Sequence, residues 1–422
     1  MNHTQSLPEP TADTLSHSKK LVNVIRQEIQ QSHTQSIPFR RYMEMALYYP
    51  TLGYYVAGTH KIGEQGDFVT APEISPLFSQ CIASQCADIL LKLNADSDHK
   101  NKDALDTLDT LDTLKNSILE LGAGSGRMAC DMLLSLEQQK ALPNRYYILD
   151  LSPDLIQRQQ QTIQNNAPHL LHLVEWIHQL PQSFNGIIIG NEVVDAMPVD
   201  VFTQQGDEVY EHHVIWQDDT LVEQLKLAND TLKQRVTDLS ISPSKPYTSE
   251  INPNLNAWMN TLSDCLAKGV ILLIDYGYTR SEYYHAERNK GTLICHYQHL
   301  VNDSPLTYPG LQDITANVDF TAIAEAADNA GLLVSGFTTQ AHLLANLSME
   351  HHFAEALAQQ KPDHQDHAFR LAQQVKILSL PSEMGERFKA IALSKNMSKN
   401  TGENKSDEAL LGFLHFDQRY RL

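Results

Sequence analysis

The sequence predicts an α/β fold built around a parallel sheet that is buried on both faces. Two observations predict it. From Ile118 onward, short unbroken apolar runs alternate with helical stretches, the pattern of strands covered on both sides. The first of those runs passes into "ELGAGSG" at 120–126, a turn with so little side chain that main chain can approach a ligand closely where a strand enters a helix.

The elements follow in order. Residues 1–18 are polar, contain Pro8 and Pro10, and read as a loose, disordered tail. Helical spacing of Leu21, Val22, Ile25 and Ile29 starts near Lys19 and opens an N-terminal helical layer running to about residue 100. Within it "IPFRRYMEMALYYPTLGYY" carries Tyr42, Tyr48, Tyr49, Tyr54 and Tyr55, which suit core packing more than an acceptor-facing wall. "GEQGDFVTAPEIS" reads by its spacing as a helix-capping loop somewhat more than as a lid, with Ser75 as cap of a helix near 76–93 and Asp67 in a turn. Residues 101–116, with "DTLDTLDTL", read as a linker, since a structural repeat needs a far longer unit.

The alternating core then runs from 117 to 422. It begins with a strand at Ile118–Leu121, a helix at 126–140, a strand in "RYYILDLS" and a helix from Pro153 to about Asn165. Further strands lie in "LHLVEW" and "GIIIGNE". Residues 201–250 break the rhythm with a hairpin pattern, "VFTQQGDEVYEHHVIW", and read as an insertion after the fourth strand. A helix at 254–267, the strand "VILLIDYGY", a helix at 319–330, the strand "LLVSGF", helices within 340–378 and a last strand "RFKAIALS" complete it.

Composition excludes several functions. Thirty-two Lys+Arg against 51 Asp+Glu give a net charge of −19, a surface that repels nucleic-acid backbones and anionic membranes and accepts a basic protein. Cys81, Cys86, Cys130, Cys265 and Cys295 form no C-x-x-C and read as free thiols in a reducing compartment. The first twenty residues have no apolar leader and no apolar run approaches a membrane span, so the expectation is a cytoplasmic protein. His212–His213, His296, His299 and His351–His352 match no metal-ligand spacing, and no metal is expected.

The ligand of the glycine turn follows by elimination. A triphosphate loop needs a lysine, whereas Arg127 follows the last glycine. A dinucleotide fingerprint is G-x-G-x-x-G, whereas Gly122, Gly124 and Gly126 give G-x-G-x-G, and Glu120 beside them is unsuited to an anion. S-adenosylmethionine has no phosphate and carries an ammonium and a sulfonium, so bare main chain and carboxylates suit it. Asp150, ending the second strand, can accept from both ribose hydroxyls. A strand–turn–helix whose glycines serve packing alone is the competing explanation; Glu120 and Asp150 in an alternating sheet favour the cofactor. At the carboxyl ends of the next strands stand Asn191, Glu192 and Asp195 in "GNEVVDAMPVD", and Asp275 and Tyr276 in "DYGY". Asn191 is assigned to the cofactor. Glu192, Asp195 and Asp275 are the candidate catalytic carboxylates for holding a guanidinium, against the alternative that Asp195 caps the following turn and Asp275 bonds backbone amides.

In order along the chain, "IPFRRYMEMALYYPTLGYY", "GDFVTAPEISPLF", "ELGAGSG", "NEVVDAMPV", "DYGY", "GTLICHYQH", "QDITANVDF" and "MGERFKAIALSK" resemble the MidA-type class I methyltransferases, whose mitochondrial members assist assembly of respiratory complex I. The resemblance implies a Rossmann-like, seven-stranded class I methyltransferase sheet with a helical N-terminal layer. It implies S-adenosyl-L-methionine at Glu120, Gly122, Gly124, Gly126 and Asp150. It also brings the Gly66–Ser75 loop, with Asp67 and Glu73, into the cofactor site. It implies protein methylation, with arginine as the acceptor in mitochondrial relatives. Ser79 stands where the family often has glycine, and Asn317 stands where histidine is common, which puts that side chain's contribution in question. A non-catalytic assembly chaperone that binds the cofactor and a small-molecule methyltransferase remain the alternatives. The oligomeric state stays open, a homodimer included.

Overall fold

The computed structural model describes residues 7–57, 70–101, 116–241, 243, 245–358, 365–397 and 409–422. They divide into two compact units. One takes its residues from 1–68, 194–255 and 279–319, the other from 69–193, 256–278 and 320–422.

The second unit contains the central sheet. Its seven longest strands are β1 (Ser117–Leu121), β2 (Tyr146–Leu149), β3 (Val174–Ile177), β4 (Phe184–Asn191), β5 (Leu266–Tyr278), β6 (Leu333–Thr339) and β7 (Phe388–Lys395). Their order is β6-β7-β5-β4-β1-β2-β3. Strands β1 to β5 are mutually parallel where they pair. The expected all-parallel sheet needs one correction: β7 runs antiparallel to both β5 and β6. Hydrophobic pattern reports burial, not direction, and an antiparallel strand inserted between two others reads like any covered strand.

The strands form where they do because both faces are covered. Ile187, Ile188 and Ile189 in β4 and Leu272, Leu273 and Ile274 in β5 are fully buried. Helices α1 (Pro76–Asn101), α2 (Arg127–Gln138) and α3 (Pro153–Asn166) supply covering side chains, among them Phe78, Ile82, Met132, Leu133 and Ile163. Ser152 caps α3 through Leu155 N, and Ser75 accepts from Leu77 N at the start of α1, the capping expected of it. The C-terminal residues lie along β6: Gln418 N donates to Phe337 O at 2.6 Å and Thr338 Oγ1 to Phe416 O at 2.9 Å, which covers a sheet edge.

The other unit is built on a sheet in which Glu208–Gln217 pairs with Ser36–Pro38, Asp200–Gln205 and Thr220–Leu227, and Asp200–Gln205 also pairs with Tyr247–Ile251. The expected insertion at about 201–250 supplies most of it. Its helix Ala12–Gln31 starts ahead of Lys19, with Thr11 accepting from Thr14 N, so the polar stretch before Lys19 is partly helical rather than a loose tail. The expected N-terminal layer is divided: residues up to 57 belong here, with Tyr42 and Tyr54 fully buried, whereas α1 belongs to the sheet unit. The expected linker falls almost wholly outside the described residues, as does Asp67. Among the described residues, no helix is long and apolar enough to cross a membrane.

Candidate functional site

The glycine turn leaves β1 with three left-handed residues, Gly122 at φ +65°, Gly124 at +52° and Gly126 at +80°. Gly126 permits a close approach as well: a Cβ there would lie 2.8 Å from Gln159 Cα, so a side chain would force α2 and α3 apart. The turn is fastened on several sides. Gly122 N donates to Leu149 O at 3.1 Å. Thr162 Oγ1 donates to Ser125 O at 2.8 Å, and the Ser125 hydroxyl donates to the carboxylate of Glu73. Glu73 therefore meets the turn through Ser125. The neighbouring cation, Arg127, is engaged with Asp131 at 2.8 Å.

Two buried carboxylates flank the turn. Glu120 accepts from Tyr146 OH at 2.8 Å. Burial pushes its carboxyl up to about 7; the Tyr146 hydrogen bond opposes the shift and the charge of Asp150 adds to it. Asp150 accepts from Ser152 N at 2.9 Å on one oxygen and from Gln159 Nε2 at 2.7 Å on the other. Burial raises its carboxyl too, against the pull of those two donors.

At the end of β4, Asn191 Nδ2 donates to Glu192 Oε1 at 3.1 Å, while Asn191 Oδ1 is buried with no protein partner among the described residues. Glu192 is held at φ +53° with its N–H donating to Ile274 O at 2.9 Å. A long side chain in left-handed backbone is strained, and such strain concentrates at functional sites. Asp275 is buried at the end of β5 and accepts from Tyr276 N at 2.9 Å. In the antiparallel ladder it stands opposite Lys389, so the two side chains share a face of the sheet.

The sheet unit thus brings together Glu120, Gly122, Gly124, Gly126 and Asp150 around one turn, with Glu73 attached to it, and places Asn191, Glu192 and Asp275 at the carboxyl ends of β4 and β5. Asp195 belongs to the other unit, where it is buried and its carbonyl accepts from Ala316 N at 3.0 Å. Sequence reasoning missed Tyr146, Ser125, Trp176 and Gln159. The last carried a usable signal: it stands four residues before Ile163 on α3, and helical spacing puts both on the buried face. Bare left-handed main chain, acceptor oxygens and an unpartnered amide oxygen fit a hydroxyl-bearing, cationic nucleoside better than a pyrophosphate.

This strand order with its antiparallel β7 defines a class I methyltransferase fold. The chain belongs to the family described as "Putative S-adenosyl-L-methionine-dependent methyltransferase", whose model matches residues 82–338. It is similar to a solved structure from Burkholderia thailandensis, described as a likely methyl transferase and bound to S-adenosyl-homocysteine. Identity is 36% and the TM-score 0.87, over 99% of this chain and 100% of the other. It is 27% identical to the mitochondrial protein arginine methyltransferase NDUFAF7 homolog of Caenorhabditis elegans, over 85% of this chain and 82% of that protein. It is 26% identical to the Drosophila melanogaster homolog, over 93% and 89%. S-adenosylmethionine is the methyl donor of the family, as the glycine turn led us to expect. The cytoplasmic expectation is corrected: the worm and fly relatives are mitochondrial proteins, so a start without an apolar leader does not place a chain of this kind in the cytoplasm.

Proposed function

We propose that this methyltransferase acts on an arginine side chain of a protein. Glu120, Gly122, Gly124, Gly126, Asp150 and Asn191 hold the donor, and Glu192 and Asp275 orient the acceptor. The observation that carries the arginine reading is that the worm and fly relatives, matched over most of their length, are named protein arginine methyltransferases. The carboxylates at the ends of β4 and β5 supply suitable chemistry.

Bound at the turn, S-adenosylmethionine supplies a methyl group made electrophilic by its sulfonium. The chain does the rest by placement. The flat glycine main chain admits the donor closely, and Asp150, steadied on both oxygens, accepts from its ribose hydroxyls. The free lone pairs of Asn191 Oδ1 take a further donor hydrogen. Asn191 Nδ2 steadies the Glu192 carboxylate, which accepts guanidinium N–H groups and takes up the proton that the methylated nitrogen must lose. Asp275 offers a second acceptor at the same rim. Glu73 acts on the turn through Ser125. Asp195 and Asp67 stay in the set on their places in "NEVVDAMPV" and "GDFVTAPEIS" alone.

The test is transfer of labelled methyl groups into proteins of a cell extract, followed by hydrolysis and identification of the labelled amino acid. Methylarginine is expected with the wild type. Glu192→Gln should bind S-adenosylhomocysteine with unchanged affinity and transfer at least about a hundredfold more slowly. Label in lysine or in small molecules, or full turnover by Glu192→Gln, rejects the assignment.

A further inference from the structure

One fully buried amide joins three parts of the candidate cofactor site. Gln159 Nε2 donates to Asp150 Oδ2 at 2.7 Å and to Gly124 O at 3.1 Å, and Gln159 Oε1 accepts from Trp176 Nε1 at 2.9 Å. Both hydrogens of the amide are used and its oxygen is occupied. The orientation is unique, because the flipped amide would set its oxygen against two acceptors and its nitrogen against an indole N–H. Gln159 Cα is also the atom against which Gly126 fits. Turn, strand end and helix therefore meet at this residue.

Resting on the reading that Asp150 takes the ribose hydroxyls, we infer that Gln159 is the positioning residue that gives the site its selectivity for the ribose diol. A carboxylate at a strand end can rotate about two side-chain bonds. Gln159 and Ser152 N each take one oxygen, which fixes the carboxylate plane and leaves lone pairs on both oxygens for hydroxyl donors. The same amide fixes the carbonyl of Gly124, so the turn and the carboxylate keep one relative placement. The donation also favours the charged form of Asp150. An apolar residue of equal length would leave the Gly124 carbonyl, the Trp176 indole and Asp150 each short of a partner. A glutamate would set a second negative charge beside Asp150.

Calorimetric titration of S-adenosylhomocysteine and of its 2′-deoxy analogue, against wild type, Gln159→Met and Gln159→Glu, tests this. The wild type should prefer the ribose ligand. Gln159→Met should lose roughly tenfold in affinity for it while holding the deoxy analogue to within about twofold, so that discrimination collapses. Gln159→Glu, which is nearly isosteric and keeps the acceptor for Trp176, should lose more for the ribose ligand and again little for the analogue. A purely structural role weakens both ligands alike and leaves their ratio intact; that result in either variant overturns the inference. A wild type that binds both ligands equally, or neither, instead overturns the role given to Asp150.

Discussion

Glu120 is buried in a protein interior where a charged carboxylate is costly, and its carboxyl is held up at about 7 against an ordinary value of 4.5. A group raised on folding stabilises the folded chain fully below its unfolded pKa, and that contribution is lost as pH climbs through the folded value. In the ligand-free protein the loss therefore falls between about pH 4.5 and 7. Glu120→Gln should remove this slope: relative to wild type it should gain roughly 1–3 kcal/mol at pH 8 and almost nothing at pH 4, read from denaturant melts at the two values. On the proposed role of Glu120 at the glycine turn, the same variant should bind S-adenosylhomocysteine more weakly. Equal stability differences at both values would show that the carboxylate is already satisfied. Glu120 was legible in the sequence, as an acid beside a glycine turn. Tyr146 and Trp176 were not, because each acts only through groups brought to it by other elements; for Gln159 helical spacing shows the burial but not the partners it meets.

At the scale of elements, close strand spacing relies on glycines at one end of the sheet. Gly186 in β4, at φ +139°, lies so near β1 that a Cβ would sit 1.9 Å from Ser117 O. A side chain there cannot be absorbed by a rotamer change, since the obstacle is backbone. Gly186→Ala should cost more than about 4 kcal/mol or leave the chain insoluble. Gly206, in the turn after Asp200–Gln205, has nothing within 4 Å of its added Cβ, and Gly206→Ala should cost only about 1–2 kcal/mol from its φ of +61°. Similar melts for the two variants would contradict the packing described. The strands themselves were legible, since each is an apolar run with turn residues at its ends. The direction of β7 was not, because burial pattern is the same for either direction. Nor was the division of the N-terminal layer, because a helical period does not say which unit a helix covers.

At the scale of the molecule, the net charge of −19 sets the kind of protein that the chain meets readily. A basic protein acceptor should be methylated with a KM that rises several-fold between low and physiological salt, while kcat stays flat, because screening acts on encounter rather than on transfer. A salt-independent KM would place recognition in the carboxylates of the rim alone. The acidic balance was legible from composition, whereas compartment was not: the apolar content of an N-terminus is silent on a route that needs no apolar leader.

Everything functional here depends on a methyl donor lying against the main chain of residues 122–126 with Asp150 at its ribose. A crystal structure with S-adenosylhomocysteine bound answers this directly. Density for the nucleoside along the glycine turn, with both ribose hydroxyls within hydrogen-bond distance of Asp150, is the expected result. Density elsewhere in the fold, or a ribose turned away from Asp150, would contradict it.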